Sequence, residues 1–296
     1  MMNELLQDIC RLLGIEQVGI AAIGPYIALK ERMEARIDKG HYTEFEEQCI
    51  AKRIDPKLTM EDTQSVIVCL FPYYSGQEPN ANIAIYAYGL DYHRIVKDKL
   101  EKIGEQLTIA IPDFHYQAFV DTGPLVDRYM AYLAGIGFYG LNGHIITDQY
   151  GSYVLIGYIL TNYPFESGKP LQRTCMQCNR CITACPGEAI IGDFTIDPRR
   201  CRSYLSQKKG ELTIEEQRIM KKSNLIFGCD VCQQVCPHNQ QGTVTAMREF
   251  QEHRMPYLDD EELKSISNKE FIRRYGNRAF SWRGRKLLVR NFEYVR

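Results

Sequence analysis

The sequence lacks any apolar run long enough to cross a membrane, and it has no marked excess of charge. No stretch reaches the ~18 apolar residues that a membrane helix needs, and the formal net charge is −1 over 296 residues. The first residues, MMNELLQDICRLLG, carry acidic side chains and lack the basic and apolar regions of a secretory signal. We therefore expect a soluble, cytoplasmic monomer without membrane contact, in which nucleic acid would meet a local basic patch.

A dinucleotide-binding glycine turn is also missing. The segment GIGFYG, residues 135–140, approaches the glycine pattern of such turns. However, it follows a predicted helix and leads toward a predicted strand, which is the reverse of the order in a Rossmann turn. The sequence thus predicts no nicotinamide or flavin dinucleotide site of that type.

Strand-like and helix-like segments alternate up to about residue 163. Amphipathic spacing predicts helices over 3–13, 91–107 and 124–135, and apolar runs predict strands over 18–23, 65–74 and 116–121. HIITD and YVLIGYILT predict two more strands around the turn QYGS. Further helices are predicted for LDDEELKSISNKEFIRRYG and SWRGRKLLVRNFEYVR, near the end of the chain.

These segments predict a mixed fold, α/β or α+β, in three parts. A layered α/β domain would occupy residues 1–165, and a cysteine-rich domain like a bacterial two-cluster ferredoxin would occupy residues 166–245. A short, basic helical tail would follow at residues 246–296.

Cysteine is abundant, with eleven residues, eight of them between Cys175 and Cys236. The odd number argues against a secreted disulfide framework. The stretch RTCMQCNRCITACPGEAI has three cysteines spaced by two residues and then a Cys-Pro pair. The later stretch CDVCQQVCP lacks its first cysteine, and Cys201 in DPRRCRSYL is the spare thiol that can replace it.

This spacing is typical of two [4Fe–4S] clusters. In two-cluster ferredoxins the fourth cysteine of a motif binds the other cluster. One cluster would then use Cys175, Cys178, Cys181 and Cys236, and the other would use Cys185, Cys201, Cys229 and Cys232. The alternative is two zinc sites, which also use Cys-x-x-Cys pairs but rarely need the third cysteine and the Cys-Pro ending. We assign no role to Cys10, Cys49 or Cys69.

The segments around this module resemble a known family over essentially the whole chain. They are KRIDPKLTMEDTQSVIVCLFPYY, YAYGLDYHRIVKDKL, VDTGPLVDRYMAYLAGIGFYGLNGHIIT and YGSYVLIGYILTN. With the cysteine order, they resemble tRNA epoxyqueuosine reductases. The resemblance implies that the first domain binds cobalamin, that two [4Fe–4S] clusters reduce it, and that epoxyqueuosine in the wobble position of tRNA is reduced to queuosine. An external electron donor is also implied. The alternatives are an electron-transfer protein that reduces a corrinoid on a partner and a relative of reductive dehalogenases that acts on another small substrate.

The resemblance implies that Asp121, in FVDTGP, donates a proton to the leaving oxygen. Its other interpretation is an N-cap of the helix that follows. Burial beside a corrin would favour the protonated, acidic form of this side chain.

Six further residues are implied as cofactor contacts, and each has a structural alternative. Arg53 could instead be a surface arginine. Tyr92 and His93 could instead form the first turn of a helix, and Asn142 and His144 could instead be turn residues. Ser203 lies two residues after Cys201, and its alternative is a hydroxyl at a helix start. The family pattern offers no clear axial histidine.

Two departures from the family concern the substrate. Leu141 stands where the family commonly has a lysine, and members often continue into HEAT-like repeats that grip tRNA, most of which we expect this chain to lack. From Phe271 onward Glu293 is the only acid, whereas the cations are Arg273, Arg274, Arg278, Arg283, Arg285, Lys286, Arg290 and Arg296. This tail is predicted to contact the phosphates of the tRNA anticodon arm; its alternative is a solvated helix face.

Overall fold

In the computed structural model, which describes residues 2–240 and 242–296, the chain forms two compact units. The first contains residues 2–72, 93–140 and 144–177, and the second contains residues 73–92, 141–143 and the described residues from 178 onward. Both units combine helices and strands. The three-part division at residues 165 and 245 stays a prediction.

The first unit contains a four-stranded sheet and a separate two-stranded sheet. The strands of this unit are β1 (Gln17–Ala21), β2 (Ser65–Pro72), β3 (Tyr116–Val120), β4 (Phe138–Tyr139), β5 (Ile145–Ile146) and β6 (Val154–Thr161). Its helices are α1 (Met2–Leu12), α2 (Ile27–Asp38), α3 (Ile50–Ile54), α4 (Tyr92–Ala110) and α5 (Asp127–Leu133). The order of the four-stranded sheet is β1-β2-β6-β3, and each neighbouring pair is antiparallel. Antiparallel pairing corresponds to the α+β form of the predicted fold.

Helices cover both faces of this sheet, which explains the continuous apolar run of β2. All eight residues of β2 are buried, as expected for a strand without a solvent-facing side. Leu125, Met130 and Ala131 at α5 pack on one face. On the other face α4 approaches β6 closely, because a Cβ atom at Gly157 would lie 2.8 Å from side-chain carbons of Val96 and Leu100. Only glycine permits this close approach.

The two strands around the turn QYGS, β5 and β6, do not pair with each other. β5 pairs with β4, with Ile146 opposite Phe138 and Ile145 opposite Tyr139, and not with β6. The reason is that both edges of β6 are already occupied by β2 and β3. The turn itself is closed by an isolated bridge between Thr147 and Gly151.

The second unit consists mainly of short helices. They are α6 (Arg180–Ala184), α7 (Arg202–Leu205), α8 (Ile214–Met220), α9 (Val231–Gln234), α10 (Arg248–Gln251), α11 (Asp260–Ser265), α12 (Asn268–Tyr275) and α13 (Arg285–Val295). A two-stranded sheet joins β7 (Ile190–Gly192) to β8 (Thr195–Ile196). The segment 258–276 forms two helices rather than the single predicted one, because Ser267 caps a new helix by accepting the Glu270 N–H at 3.1 Å.

Within the described ranges, no helix combines the length and the apolar character that crossing a membrane requires.

Candidate active site and cluster sites

Asp121 lies on a loop that leaves the end of β3 and is fixed by two contacts with Tyr158. The loop begins with Asp121 in the left-handed backbone region, at φ 56°, which aspartate tolerates better than most residues. Farther along, the Leu125 N–H donates to the Tyr158 hydroxyl oxygen at 3.1 Å. A Cβ atom at Gly123 would lie 2.2 Å from the same oxygen, so this position requires glycine. The sheet thereby holds the loop against β6 while the Asp121 side chain stays 58% exposed.

His93 and Asp121, two of the residues singled out in the sequence, meet in the first unit. His93 is in the first turn of α4, and its Nε2 lies 3.1 Å from Oδ2 of Asp121. This is hydrogen-bond distance between two groups that can exchange a proton. Asp121 does not cap the next helix, because α5 begins at Asp127 and its N-cap residue is Val126, without a side-chain cap.

A third ionisable group, Asp127, was not predicted. Its Oδ1 is buried without a hydrogen-bond partner, whereas its carboxylate accepts the main-chain N–H of Asp121. Burial raises the pKa of Asp127 well above its usual value, and the nearby Asp121 charge raises it further. An acidic residue in the first turn of a helix normally suggests a surface position that complements the helix dipole, so no local pattern indicates that this one is buried.

Arg53 is not an ordinary surface arginine. Its side chain is 11% exposed and donates to Oε2 of Glu46 at 2.7 Å. Arg36 also binds Glu46, at 3.0 Å. Burial alone would raise the pKa of Glu46, but the two arginines hold it below its usual value. The Nε of Arg53 is buried without a partner, so this donor fits a polar ligand such as an amide or phosphate of a cofactor.

His144 also belongs to the first unit and carries a neutral ring at neutral pH. Burial lowers its pKa to about 4, and the positive charge of Arg128 lowers it further. A neutral imidazole both donates and accepts a hydrogen bond, which suits contact with the amide groups of a cofactor.

The other three candidate cofactor contacts belong to the second unit. Tyr92 is buried and meets the ring of Tyr86 edge to face at 6.0 Å. Asn142 is buried as well. Ser203 lies on α7, where its carbonyl oxygen accepts the Ser206 hydroxyl at 2.8 Å.

Four of the predicted cluster ligands gather in the second unit. Burial raises the pKa of the Cys232 thiol, and the neighbouring thiols of Cys229, Cys201 and Cys185 raise it further. Burial also raises the pKa of Cys229 to about 12. The Cys185 Sγ accepts the Ala189 N–H at 3.3 Å. Thiols gathered in this way fit an iron–sulfur cluster, whose irons bind thiolates and offset their repulsion.

The ligands predicted for the other cluster lie on the loops around α6 and α9. Cys181 is on α6, Cys178 precedes it, and Cys236 follows α9, against which α6 packs. Asn179 between them is left-handed, at φ 61°, which turns the chain between two ligands. Cys175 is assigned to the first unit. In the part of the chain that the structure describes, no three His, Cys, Asp or Glu side chains converge as ligands of one metal ion do.

Comparison with protein families matches both parts of the site. A family model described as "Epoxyqueuosine reductase QueG, DUF1730" matches residues 53–122. These residues include Arg53, His93 and Asp121. A model described as "4Fe-4S double cluster binding domain" matches residues 174–239 and contains all eight predicted ligands.

Curated relatives cover nearly the whole chain. The epoxyqueuosine reductase of Lactococcus garvieae is 33% identical over 99% of this chain and 86% of its own length. That of Bacillus cereus is 36% identical over 98% of this chain and 79% of its own length.

Solved structures of such enzymes are also similar. An epoxyqueuosine reductase with an epoxyqueuosine-modified tRNA-Tyr stem loop superposes with a TM-score of 0.93 at 32% identity, over 99% of this chain and 80% of that one. One from Bacillus subtilis, with an aspartate catalytic loop swung out of the active site, gives 0.91 at 31% identity and the same coverage. A catabolic reductive dehalogenase gives 0.52 at 16% identity, over 98% of this chain and 38% of that one. This last likeness concerns the fold alone.

The replacement ligand Cys201 gives a direct test of the cluster assignment. Cys201→Ser should remove the second cluster and about half of the eight irons that two [4Fe–4S] clusters contain. Iron and sulfide analysis with absorbance near 400 nm measures this loss. Cys49→Ser, at an exposed cysteine outside the motif, is the matched control and should keep both clusters. Full iron content in Cys201→Ser would contradict the assignment.

Burial of Asp127 predicts a dependence of stability on pH. Because folding raises the pKa of this carboxyl, its ionisation favours the unfolded chain, and stability falls as pH rises from the unfolded toward the folded value. Asp127→Asn removes the ionisation and should raise the free energy of unfolding by about 1–3 kcal/mol at pH 8. The increase should be smaller at pH 5. Urea unfolding at the two pH values measures the difference. Asp113→Asn, on an exposed loop of the same unit, should show no such trend, and an equal effect in both variants would contradict the prediction.

Proposed function

The chain belongs to the epoxyqueuosine reductase family, and we propose that it reduces epoxyqueuosine to queuosine in tRNA with Asp121 as the proton donor. The observation that carries the assignment of Asp121 is its contact with His93, 3.1 Å from Oδ2, on a loop that the sheet holds in place. The aspartate catalytic loop in the Bacillus subtilis structure supports the same assignment.

The reaction determines what the residues of this chain must do. Removal of an epoxide oxygen to give an alkene takes up two electrons and two protons, and the oxygen leaves as water. When bound, cobalamin supplies a strongly reducing, nucleophilic metal centre, and the [4Fe–4S] clusters supply electrons one at a time. Asp121 protonates the leaving oxygen, which is a poor leaving group without a proton. His93 is 35% exposed, so it relays a proton from solvent back to Asp121.

Several residues of this chain would hold the cofactors. Arg53 offers its buried Nε to a polar group of cobalamin, and the neutral ring of His144 offers a donor and an acceptor. Tyr92, Asn142 and Ser203 supply further contacts. One cluster is held by Cys175, Cys178, Cys181 and Cys236, and the other by Cys185, Cys201, Cys229 and Cys232. An external low-potential donor supplies the electrons.

The tRNA contact is expected on the C-terminal helices, but fewer cations are available there than the sequence suggests. Arg273 and Arg274 pair with Glu270. Three other arginines donate to main-chain carbonyls of the second unit, and they are Arg278, Arg285 and Arg290. Arg296 pairs with Asp260.

Arg283 lies over an exposed aromatic ring, and the exposed Lys286 follows it on α13. Trp282 is 53% exposed, and the Arg283 guanidinium carbon lies 3.8 Å from the centroid of its ring. Cations beside an exposed aromatic ring suit contact with phosphates and unstacked bases. We call these three residues the Trp282 patch and place the tRNA contact there.

Asp121→Asn should fold, keep both clusters and lose turnover by about 10²–10⁴-fold, as expected when a general acid is removed. The amide is isosteric and tolerates the left-handed backbone, so only the proton is lost. Anaerobic reaction with epoxyqueuosine-containing tRNA, followed by nucleoside analysis, measures turnover. Asp113→Asn is the matched control, because Asp113 is also an exposed, left-handed loop aspartate, at φ 56°. Wild-type turnover in Asp121→Asn would contradict the role of Asp121. Failure of the wild-type enzyme itself to convert epoxyqueuosine would contradict the proposed reaction.

Reversal of charge in the Trp282 patch should weaken tRNA binding. Arg283→Glu with Lys286→Glu should raise Kd at low salt and make its salt dependence less steep by roughly 0.7–0.9 in log–log slope for each phosphate that the protein no longer neutralises. Binding of a tRNA anticodon arm at several salt concentrations measures both effects. Lys102→Glu, on α4 of the first unit, is the control. An unchanged Kd at low salt in the double variant would exclude the patch.

A further inference from the structure

Arg202 is the largest side chain that is fully buried among the described residues, with 1% exposure. It directly follows Cys201 and is the first residue of α7. A buried arginine is unusual, because taking a cation out of water costs several kcal/mol unless other groups compensate for it. Its surroundings therefore need an explanation.

Among the described residues, every hydrogen bond that this guanidinium donates goes to a main-chain carbonyl oxygen. Its Nη2 donates to Met220 at 3.0 Å and to Ser223 at 2.8 Å, and it also bonds Leu225. Its Nη1 donates to Gly228 at 3.3 Å. All four acceptors lie between the end of α8 and Cys229, so Arg202 joins the segment of Cys201 to the segment of Cys229.

The charge of Arg202 faces thiols rather than carboxylates. A guanidinium keeps its proton in proteins, so the side chain is a cation at neutral pH. The negative groups that stabilise this cation are Cys229 and Cys201. Carbonyl dipoles solvate such a cation without neutralising it. When the second cluster is bound, its thiolate ligands would supply the counter-charge.

We propose that Arg202 is a positioning residue of the second cluster, which holds Cys201 and Cys229 in register and favours the reduced state of the cluster through its fixed charge. This inference rests on the ligand set given under the proposed function. When one electron enters the cluster, no bond breaks, and the cluster becomes more negative by one charge. A buried cation beside it stabilises that state and raises the reduction potential, because net charge and burial set the potentials of such clusters.

The test compares two substitutions of Arg202 with a neighbouring control. Arg202→Gln removes the charge, whereas Arg202→Lys keeps the charge but loses the planar set of donors. Arg200→Gln is the control, because Arg200 also lies next to Cys201 but is 39% exposed and pairs with Glu215 at 3.0 Å. Each anaerobically purified holoenzyme is titrated with dithionite and followed by electron paramagnetic resonance, and its iron is counted.

Arg202→Gln should disfavour reduction of one cluster about tenfold or more, which is ~59 mV for one electron, and leave the other cluster unchanged. Arg202→Lys should keep a potential near wild type, because it keeps the charge, but bind somewhat less iron, because it loses the planar donors. Arg200→Gln should stay near wild type in both. Full iron with wild-type potentials in Arg202→Gln would overturn the proposal, as would equal shifts in the Gln and Lys variants. If Arg202→Gln loses the cluster, the Arg202→Lys variant distinguishes the two roles. A cluster that Arg202→Lys retains near the wild-type potential supports the charge role, and loss of the cluster in Arg202→Lys overturns it. Loss of four irons on Cys201→Ser remains a separate test of the ligand set.

Discussion

The pairing of β6 with both β2 and β3 is the constraint on which the candidate active site depends. In this register Tyr158 lies opposite Val68 on one side and Phe119 on the other. Its ring stacks on Phe119 with centroids 5.2 Å apart, and its hydroxyl holds the loop that begins at Asp121. A shift of one residue would turn Tyr158 to the other face of the sheet. The register set by the apolar residues of β6 therefore also determines where the loop that carries Asp121 lies.

Asp127 of the first unit and Arg202 of the second are two ionisable groups that are accommodated in different ways. Asp127 has one carboxylate oxygen without a hydrogen-bond partner, and burial raises its pKa well above the usual value. Arg202 has a guanidinium surrounded by carbonyl oxygens and thiols, and it remains charged. The raised pKa favours the neutral form of Asp127, which adds no negative charge beside Asp121. A cation that cannot lose its proton suits a site whose own negative charge changes with each electron.

Much of this could be predicted from local patterns in the sequence. The apolar run of β2 and the amphipathic spacing of α4 predicted elements within about three residues of those observed, since periodicity reports burial directly. The cysteine spacing predicts the two ligand sets, which stay a prediction, and the structure has Cys185, Cys201 and Cys229 near Cys232. The pairing of β5 could not be predicted this way, since it depends on which edges of β6 other strands had already occupied.

The residues that sequence reasoning missed share a physical cause. Asp127 resembles a favourable first-turn acid and Arg202 resembles one basic residue among several in DPRRCRSYL, and in both cases the local pattern is satisfied by a surface position. Their burial arises from contacts with distant segments, such as the carbonyl oxygens of residues 220–228 around Arg202. The same effect reduces the apparent basic surface of the tail, where Arg278, Arg285 and Arg290 bind carbonyl oxygens instead of pointing to solvent. A count of charges in the sequence therefore overestimates the positive charge at the surface wherever arginines bind main-chain carbonyl oxygens between short helices. The second unit consists mainly of such helices.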